Sequence, residues 1–153
     1  MALTRVSNKK VINMMSTNEL EEYVTKEINS RIDDVCWEYV HFEDDAKTGY
    51  EGWTFFYKDG MYHGVHINEK GVFKEDFITD KKEEVLEKAL RSVTVSTVFL
   101  YAIRLKKKGE EFRKTLIQKE LEIYSKFGGE LYEKKKAEID EILSRNPYND
   151  NTH

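Results

Sequence analysis

Histidine side chains are the first candidates for chemistry in this chain, because imidazole is the commonest metal ligand and general base in proteins. His63 and His66 are three residues apart in an expected strand, so their side chains point to opposite sheet faces. They cannot share one ion without a bulge between them. His41 is expected on the neighbouring strand, with no Cys or carboxylate at the spacing of a known site, and His153 ends the chain. The pattern predicts no metal site.

Nucleophilic and cofactor chemistry finds equally little support. The single cysteine, Cys36, cannot form an internal disulfide, and its acidic neighbours Asp33, Asp34 and Glu38 disfavour a reactive thiolate. No glycine-rich phosphate loop and no nucleophile-elbow pattern occurs. With 29 acidic residues, two carboxylates close in sequence carry no information about acid–base catalysis. The sequence therefore predicts a protein that is not an enzyme and has no cofactor.

Length and charge narrow the class of protein further. A chain of 153 residues suffices for one core, so we expect a single domain over 1–153, with flexible ends at 1–15 and 148–153. The net charge of −4 argues against a nucleic-acid partner, and the basic run at 104–108 is typical of a helix C-terminus. Residues 1–15 lack the apolar core of a signal peptide, and the apolar-rich stretch 93–103 is too short to cross a membrane. We expect a cytoplasmic protein with no membrane partner.

The first half of the chain changes its hydrophobic period from helix to strand. Ser16 and Glu19 have the spacing of a capping box, and apolar residues follow at four-residue intervals to Ile32, which predicts an amphipathic helix. Asp59-Gly60 between two β-rich runs predicts a type I′ hairpin turn, and a second turn is expected at 68–71. The predicted strands are 35–42, 53–58, 61–67 and 72–78. They predict a four-stranded antiparallel meander.

The helical period returns at Asp80. Helices are expected at 80–107, 110–127 and 130–145, although the β-branched stretch 93–101 is also compatible with a fifth strand. The inward-facing residues of the first of these helices are predicted to be Leu86, Leu90, Val93, Leu100 and Ile103. Those of the second are Phe112, Leu116, Leu121 and Tyr124, and those of the third are Leu131, Tyr132, Ile139, Ile142 and Leu143. The predicted fold is α+β, with an N-terminal helix, the meander, and three C-terminal helices packed on one sheet face.

One sheet face is expected to remain open and to bind a partner. If the helices cover the aliphatic face, the open face is aromatic, as protein interfaces often are. Its predicted members are Trp37, Tyr39, His41, Tyr57, Tyr62 and His66. In the alternative, these aromatic residues belong to the core on both sides of the sheet or are covered by the N-terminal helix.

An acidic loop lies beside this face, between the first two predicted strands. It contains Glu43, Asp44, Asp45 and Glu51. Such a loop is often only solvated. Its functional interpretation is that it mimics the phosphate backbone of a nucleic acid and steers the protein towards a basic cleft on its partner.

A sequence signature follows in the last 45 or so residues. It consists of Phe112-Arg113-Lys114, then Gln118 and Leu121, then Ile142-Leu143 running into Asn146-Pro147-Tyr148-Asn149-Asp150. It resembles the C-terminal signature of the immunity protein 63 family, although Lys114 replaces an arginine and a tyrosine at or near position 132 replaces a tryptophan. From the residues alone we expect structural roles: Phe112 packs inward, Arg113 bridges to an acid on the adjoining helix, and Pro147 directs the tail.

This resemblance implies a function that the residues alone do not give. Proteins of that family are encoded beside bacterial polymorphic toxins and protect the cells that make them. The implied function is to bind and neutralise a cognate protein toxin by occlusion. Two other classes stay open. One is a homo-oligomeric adaptor or homodimer that buries the aromatic face against itself. The other is a small-ligand-binding or hydrolytic domain with a pocket between sheet and helices, which a polar pocket containing His41 and His66 would favour.

Overall fold

The computed structural model of the protein describes residues 14–149 and, for 74–76, the backbone alone. The sheet half contains helix α1 (Thr17–Asn29), strand β1 (Val40–Phe42), a 3-10 turn (Asp44–Ala46), and strands β2 (Gly52–Lys58), β3 (Met61–Ile67) and β4 (Phe73–Thr79). Helices α2 (Lys82–Arg104), α3 (Gly109–Ser125) and α4 (Gly129–Arg145) follow. The α+β class and the order of its elements agree with the sequence prediction. Of the ends expected to be flexible, 1–15 and 148–153, residues 1–13 and 150–153 lie outside the described residues.

The described chain divides into two compact units. The sheet unit comprises residues 14–30 and 36–93, and the helical unit comprises 31–35 and 94–149. Helix α2 runs from one unit into the other, with its first half beside the sheet. We describe each unit by itself, and a single domain over 1–153 stays a prediction.

Helix α1 begins at the predicted capping box. The Ser16 hydroxyl accepts a hydrogen bond from the Glu19 backbone N–H (3.2 Å), and the Glu19 carboxylate accepts one from the Ser16 N–H (3.0 Å). The hydrogen bond from the Ser16 backbone N–H and, next, one from the Ser16 side chain favour the ionised carboxylate and lower the pKa of Glu19. Leu20, Val24 and Ile28 follow at the predicted spacing and are fully buried. The capping box thus fixes where the buried stripe of the helix starts.

The two hairpin turns are confirmed. Asp59 (φ 51°) and Gly60 (φ 81°) both lie in the left-handed region, as a type I′ turn requires, and β2 pairs antiparallel with β3 around them. At the second turn the Asn68 side-chain oxygen accepts hydrogen bonds from the backbone N–H groups of Lys70 (2.9 Å) and Val72 (3.0 Å). Strand β4 therefore pairs antiparallel with β3.

The predicted first strand is wrong in both its length and its direction. Only Val40–Phe42 is extended in the sheet, and β1 pairs parallel to β2, so the sheet is mixed, with the order β1-β2-β3-β4. A parallel neighbour requires a connection that returns along the sheet. Residues 43–51 provide it through the 3-10 turn, where Asp45 (φ 57°) and Ala46 (φ 51°) reverse the chain.

Each face of the sheet is covered by a different part of this unit. The residues that lead into α1 lie on the aromatic face, where the Tyr62 hydroxyl accepts a hydrogen bond from the Met15 N–H (2.8 Å). On the same face, the Lys88 ammonium of α2 lies 5.3 Å from the ring centre of Trp53. On the opposite face Ala46 packs in a buried cluster with Phe56, Val65 and Ile67. The helices therefore cover the aromatic face, and the return loop covers part of the aliphatic one.

Helix α2 is continuous through 93–101, so the helical alternative for that stretch is confirmed. Its predicted inward residues Leu86, Leu90 and Val93 are buried, but Leu100 and Ile103 are 44% and 48% exposed. These two assignments are corrected. Across residues 14–149, no helix combines the length and apolar character that crossing a bilayer requires.

Helices α3 and α4 are joined by a buried cation. The Lys135 ammonium of α4 is 2.9 Å from a Glu120 carboxylate oxygen of α3 and lies over the Tyr124 ring. Tyr124 and Ile139 are buried as predicted, whereas Ile142 is 46% exposed, so its inward assignment is also corrected. The other predicted inward residues of the two helices are half-buried: Phe112, Leu116, Leu121, Leu131, Tyr132 and Leu143.

Candidate protein-binding surface

The chain that enters β1 forms the first edge of the sheet. The Tyr39 carbonyl accepts a hydrogen bond from the Trp53 N–H (2.8 Å), which joins residue 39 to the start of β2. This approach depends on Gly52, which adopts φ +105° and whose missing side chain leaves room for the Tyr39 backbone. Tyr39 is therefore held in place by backbone contacts although it precedes the strand.

Two tyrosines and a histidine are presented along this edge. Tyr39 is 37% exposed and Tyr50, in the return loop, is 53% exposed. The His41 ring lies 4.8 Å from the Tyr50 ring, and His41 Nε2 donates to the Glu51 carbonyl (3.1 Å). This ring contact and this hydrogen bond hold the end of the return loop, at Tyr50 and Glu51, against β1. We name Glu38, Tyr39, His41, Tyr50 and Glu51 the β1-edge surface.

The β1-edge surface is acidic as well as aromatic. The carboxylate charges of Glu38 and, next, Glu51 raise the pKa of the Tyr39 phenol, because ionising the phenol would add a third negative charge beside them. Both glutamates are exposed. Such a surface offers aromatic contact area together with carboxylate acceptors, a combination that suits cationic side chains on a protein partner.

Three acidic residues of the return loop are bound within the chain. Glu43 accepts hydrogen bonds from the backbone N–H (2.5 Å) and the hydroxyl (2.6 Å) of Thr48. Asp44 accepts one from the Thr17 hydroxyl (2.5 Å) of α1. These carboxylates therefore hold the loop in its conformation.

Asp45, the third of these residues, is paired with a cation. Its carboxylate is 2.8 Å from the Lys58 ammonium. The hydrogen bond to Lys58 lowers the pKa of Asp45. This pair joins the loop to the end of β2.

The predicted aromatic face is divided by the register of β1. His41 pairs with Thr54 and so shares the face of Phe56, whereas Tyr57, Tyr62 and His66 lie on the helix-covered face. The predicted set therefore does not form one surface. Tyr62 is only 2% exposed, so its assignment to an open face is corrected.

The other predicted aromatic residues are half-buried. Tyr57 stacks edge-on against Tyr62 (6.2 Å), and His66 does so against Trp53 (5.3 Å). Trp37 lies before β1, and its indole N–H donates to the Asn29 side-chain oxygen (3.0 Å). Of the aromatic candidates, Tyr39 and His41 are the two that reach the β1-edge surface.

Two members of the β1-edge surface were missed in the sequence. Alternation along the predicted strand 35–42 turns Glu38 away from Trp37 and Tyr39, yet residues 35–39 are not a strand and Glu38 is exposed. Tyr50 was passed over because it lies between charged and turn residues. An aromatic residue that interrupts a polar loop is the signal that would have found it.

A metal ion needs several ligating side chains in one place, and a small ligand needs a cavity. Within the described part of the chain, no three His, Cys, Asp or Glu side chains come together as ligands for an ion. One cavity of about 240 Å³, beside the sheet, is lined by Phe77, Glu84, Glu87, Lys88 and Arg91. Another of about 240 Å³ in the helical unit is lined by residues of 31–34, α2 and α3. His41 and His66 line neither of these two.

Residues of the C-terminal signature meet at the end of α4. The Arg113 guanidinium donates to the carbonyls of Asn146 and Pro147, and it pairs with Glu110 of its own helix (2.9 Å). Arg113 therefore holds the tail through its backbone. The predicted bridge to an acid on the adjoining helix is replaced by these contacts.

The other signature residues differ in their contacts and in their exposure. The Arg113 guanidinium lies over the Tyr148 ring (5.5 Å), and Phe112 packs edge-on against Phe99 (5.6 Å). Gln118 is exposed, Leu121 is half-buried, and Asp150 lies outside the described residues. Arg113 thus holds the tail, and a structural role for the signature as a whole stays a prediction.

These features define a small α+β protein whose strongest candidate site is a contact surface for another protein. Residues 59–141, more than half of the chain, match the family described as Immunity protein 63. The chain belongs to the immunity protein 63 family, as the sequence resemblance indicated.

The match extends beyond the signature on one side and stops short of it on the other. It includes β3, β4 and α2, and it ends before Ile142, Leu143 and Pro147. The β1-edge surface lies entirely before its first residue. Neither the curated proteins nor the solved structures contained a match to this chain.

Proposed function

We propose that this protein binds a cognate toxin and neutralises it by occlusion, without catalysis, in the cytoplasm of the cell that it protects. Membership of an immunity protein family supports the toxin as partner. Residues 1–153 are proposed to act as one immunity domain. The toxin-binding part is proposed to be the β1-edge surface.

One observation carries the choice of surface. Tyr39 and Tyr50 expose their rings beside the two carboxylates of Glu38 and Glu51, at a sheet edge outside the family-matched segment. Tyrosine is enriched among the residues that dominate binding energy, because its ring buries a large area at a small entropic cost. Proteins that share the matched segment can differ here and thus recognise different toxins.

The negative charge of the β1-edge surface indicates which kind of toxin surface it would bind. Carboxylates beside exposed rings favour a toxin surface rich in lysine and arginine, as the active-site cleft of a nuclease would be. In such a complex the rings supply the buried anchors. The carboxylates raise the association rate and pair with the toxin's cations.

The test is co-expression with the toxin encoded immediately upstream, together with the affinity of the purified pair. We expect protection and a stoichiometric complex. Tyr50→Ala should weaken binding about 30-fold or more, the factor that separates an anchoring residue from a peripheral one. Glu51→Lys should mainly lower the association rate and reduce its dependence on salt.

Matched controls come from the β3–β4 turn in the same unit. Val72, another exposed apolar residue, and Glu69, another exposed glutamate, lie outside the β1-edge surface. Val72→Ala and Glu69→Lys should leave the association and dissociation rate constants of the toxin complex unchanged. A failure to protect cells or to form any complex would refute the proposed function. Binding that tolerates Tyr50→Ala and Glu51→Lys would refute the surface alone.

A further inference from the structure

Helix α2 contains an uncharged stretch within a highly charged protein. Charged residues make up 35% of the chain, yet residues 92–103 contain none. Four apolar side chains of this stretch point to solvent: Val95 (64% exposed), Phe99 (49%), Leu100 (44%) and Ile103 (48%). We name these four residues the α2 stripe. Contiguous apolar surface without charge is typical of protein interfaces.

The α2 stripe has the geometry of a helix-packing ridge. Val95, Phe99 and Ile103 are four residues apart, so their side chains form one of the rows that interdigitate when two helices cross. The Phe99 ring stands edge-on against Phe112 of α3 at 5.6 Å. This contact holds Phe99 in place at the middle of the row.

We infer that the occupant of the α2 stripe is a second copy of this chain, packed about a two-fold axis near Phe99. Val95 and Ile103 are equally far from Phe99 along the helix, about 6 Å on either side. An antiparallel copy therefore sets Val95 against Ile103 of the second copy at both ends. A self-complementary row is what an isologous interface requires.

The charges beside the α2 stripe favour the same antiparallel arrangement. Four cations, Arg104 and Lys106–Lys108, follow the stripe at its C-terminal end, whereas one, Arg91, precedes it at the N-terminal end. An antiparallel pair puts the two basic clusters at opposite ends of the contact, whereas a parallel pair would put them side by side. Repulsion between like charges thus opposes the parallel arrangement.

The area available agrees with a weak but specific dimer. The exposed fractions of the four side chains amount to roughly 350 Å² on each copy, taking about 150–200 Å² for a fully exposed side chain of this size. Two copies would bury about 700 Å² of apolar surface. Because homodimer interfaces are about 65% apolar, the total is roughly 1,100 Å², just above the area of about 1,000 Å² that a specific contact needs.

The mass in solution is the first test. Light scattering across a dilution series should give twice the monomer mass of 18.1 kDa at high concentration and the monomer mass at low concentration. Phe99→Glu should raise the dissociation constant of the dimer at least tenfold, because it places a charge at the centre of the contact. Val72→Glu, at an exposed apolar residue of the sheet unit, should leave it unchanged.

A second measurement remains decisive if Phe99→Glu does not fold. Phe99→Cys in a Cys36→Ser background should form a disulfide between two copies when glutathione disulfide oxidises the paired thiols, whereas Val72→Cys in that background should not. Monomer mass at every concentration, or equal cross-linking at both positions, would overturn the inference. The inference would also be overturned if the α2 stripe bound the toxin and not a second copy. In that case the Phe99→Cys variant would be monomeric, and added toxin would protect its new thiol from oxidation.

Discussion

Substitution of Gly52 by alanine is the sharpest test of how the β1-edge surface is built. Gly52 has φ +105°, a conformation that side-chain-bearing residues rarely adopt. A Cβ built there would overlap the carbonyl oxygen of Tyr39. That oxygen accepts the Trp53 N–H at 2.8 Å, so the backbone at residue 39 must move and this hydrogen bond must lengthen or break.

The magnitude follows from comparing two glycines. Gly49, in the same loop, also has a positive φ (+66°), but a Cβ there would meet nothing within 4 Å. Gly49→Ala should therefore cost only the backbone strain, about 1 kcal/mol. Gly52→Ala adds a more strained φ and a lost hydrogen bond worth about 1 kcal/mol, so we expect a total of about 3 kcal/mol. That is a large share of the roughly 5–15 kcal/mol that stabilises a typical domain.

Urea unfolding followed by tryptophan fluorescence would measure both changes in the free energy of unfolding. The midpoint should fall for both variants, and further for Gly52→Ala, with little change in the slope of the transition. If the proposed toxin contact is correct, folded Gly52→Ala should also bind the toxin more weakly than Gly49→Ala, since Tyr39 is displaced. Equal destabilisation by the two substitutions would refute the explanation based on the Tyr39 contact.

Two further predictions concern charge. Lys135→Ala should destabilise the protein by about 2 kcal/mol in urea unfolding, because Lys135 is 4% exposed and its partner Glu120 loses the cation. Lys136→Ala, which removes an ion pair on the surface, should cost less than about 1 kcal/mol. Equal costs for the two substitutions would contradict the structural role of the buried Lys135. The Tyr39 phenol should ionise above the usual pKa of about 10, as followed by phenolate absorbance relative to Tyr39→Phe, and Glu38→Gln should move this pKa back down. Because the folded-state pKa of Tyr39 is raised, its contribution to stability is present below the unfolded-state pKa and is lost as the pH rises through the folded-state pKa. A normal or lowered pKa of Tyr39 would contradict the proposed acidity of the surface.

Much of the fold could be predicted from the sequence because its signals are local. The capping box of α1 requires only Ser16 and Glu19, and the type I′ turn requires only Asp59-Gly60. The helix through 93–101 was favoured over a strand because its flanks are helical and no turn residue interrupts it. In each case a few neighbouring residues determine the backbone conformation, and distant contacts do not change it.

The direction of β1 could not be predicted in the same way. Alternation in 35–42 resembles a long strand, but pairing with β2 depends on how the return loop crosses the sheet. That crossing rests on left-handed backbone at Asp45 and Ala46, which neither residue type demands. Period-two patterns also say which side chains share a face, but not which face the helices cover. Tyr62 was assigned to the wrong environment for this reason.

The outer side of α2 was missed for a related reason. A helical pattern identifies the buried face only when polar residues mark the opposite one. Residues 92–103 carry no charge, so apolar side chains occur all round this part of the helix. The pattern therefore predicts Leu100 and Ile103 to face inward, because no charged residue in this stretch marks the outer side of the helix. The same lack of contrast is what leaves the α2 stripe apolar in solution.

The acidic residues in and beside the return loop have two different proposed roles, long-range steering and direct contact, which the sequence alone does not distinguish. The carboxylates of Glu43 and Asp44 accept hydrogen bonds from groups of Thr48 and Thr17 that carry no charge to offset theirs, so in the proposed complex they would add to the long-range attraction of a cationic toxin. Asp45 is paired with Lys58, and their opposite charges largely cancel at a distance. In the proposed complex, steering would therefore extend over most of the loop. Direct contact requires exposed, adaptable side chains, so we propose that it is made by Glu38 and Glu51 beside the two tyrosines.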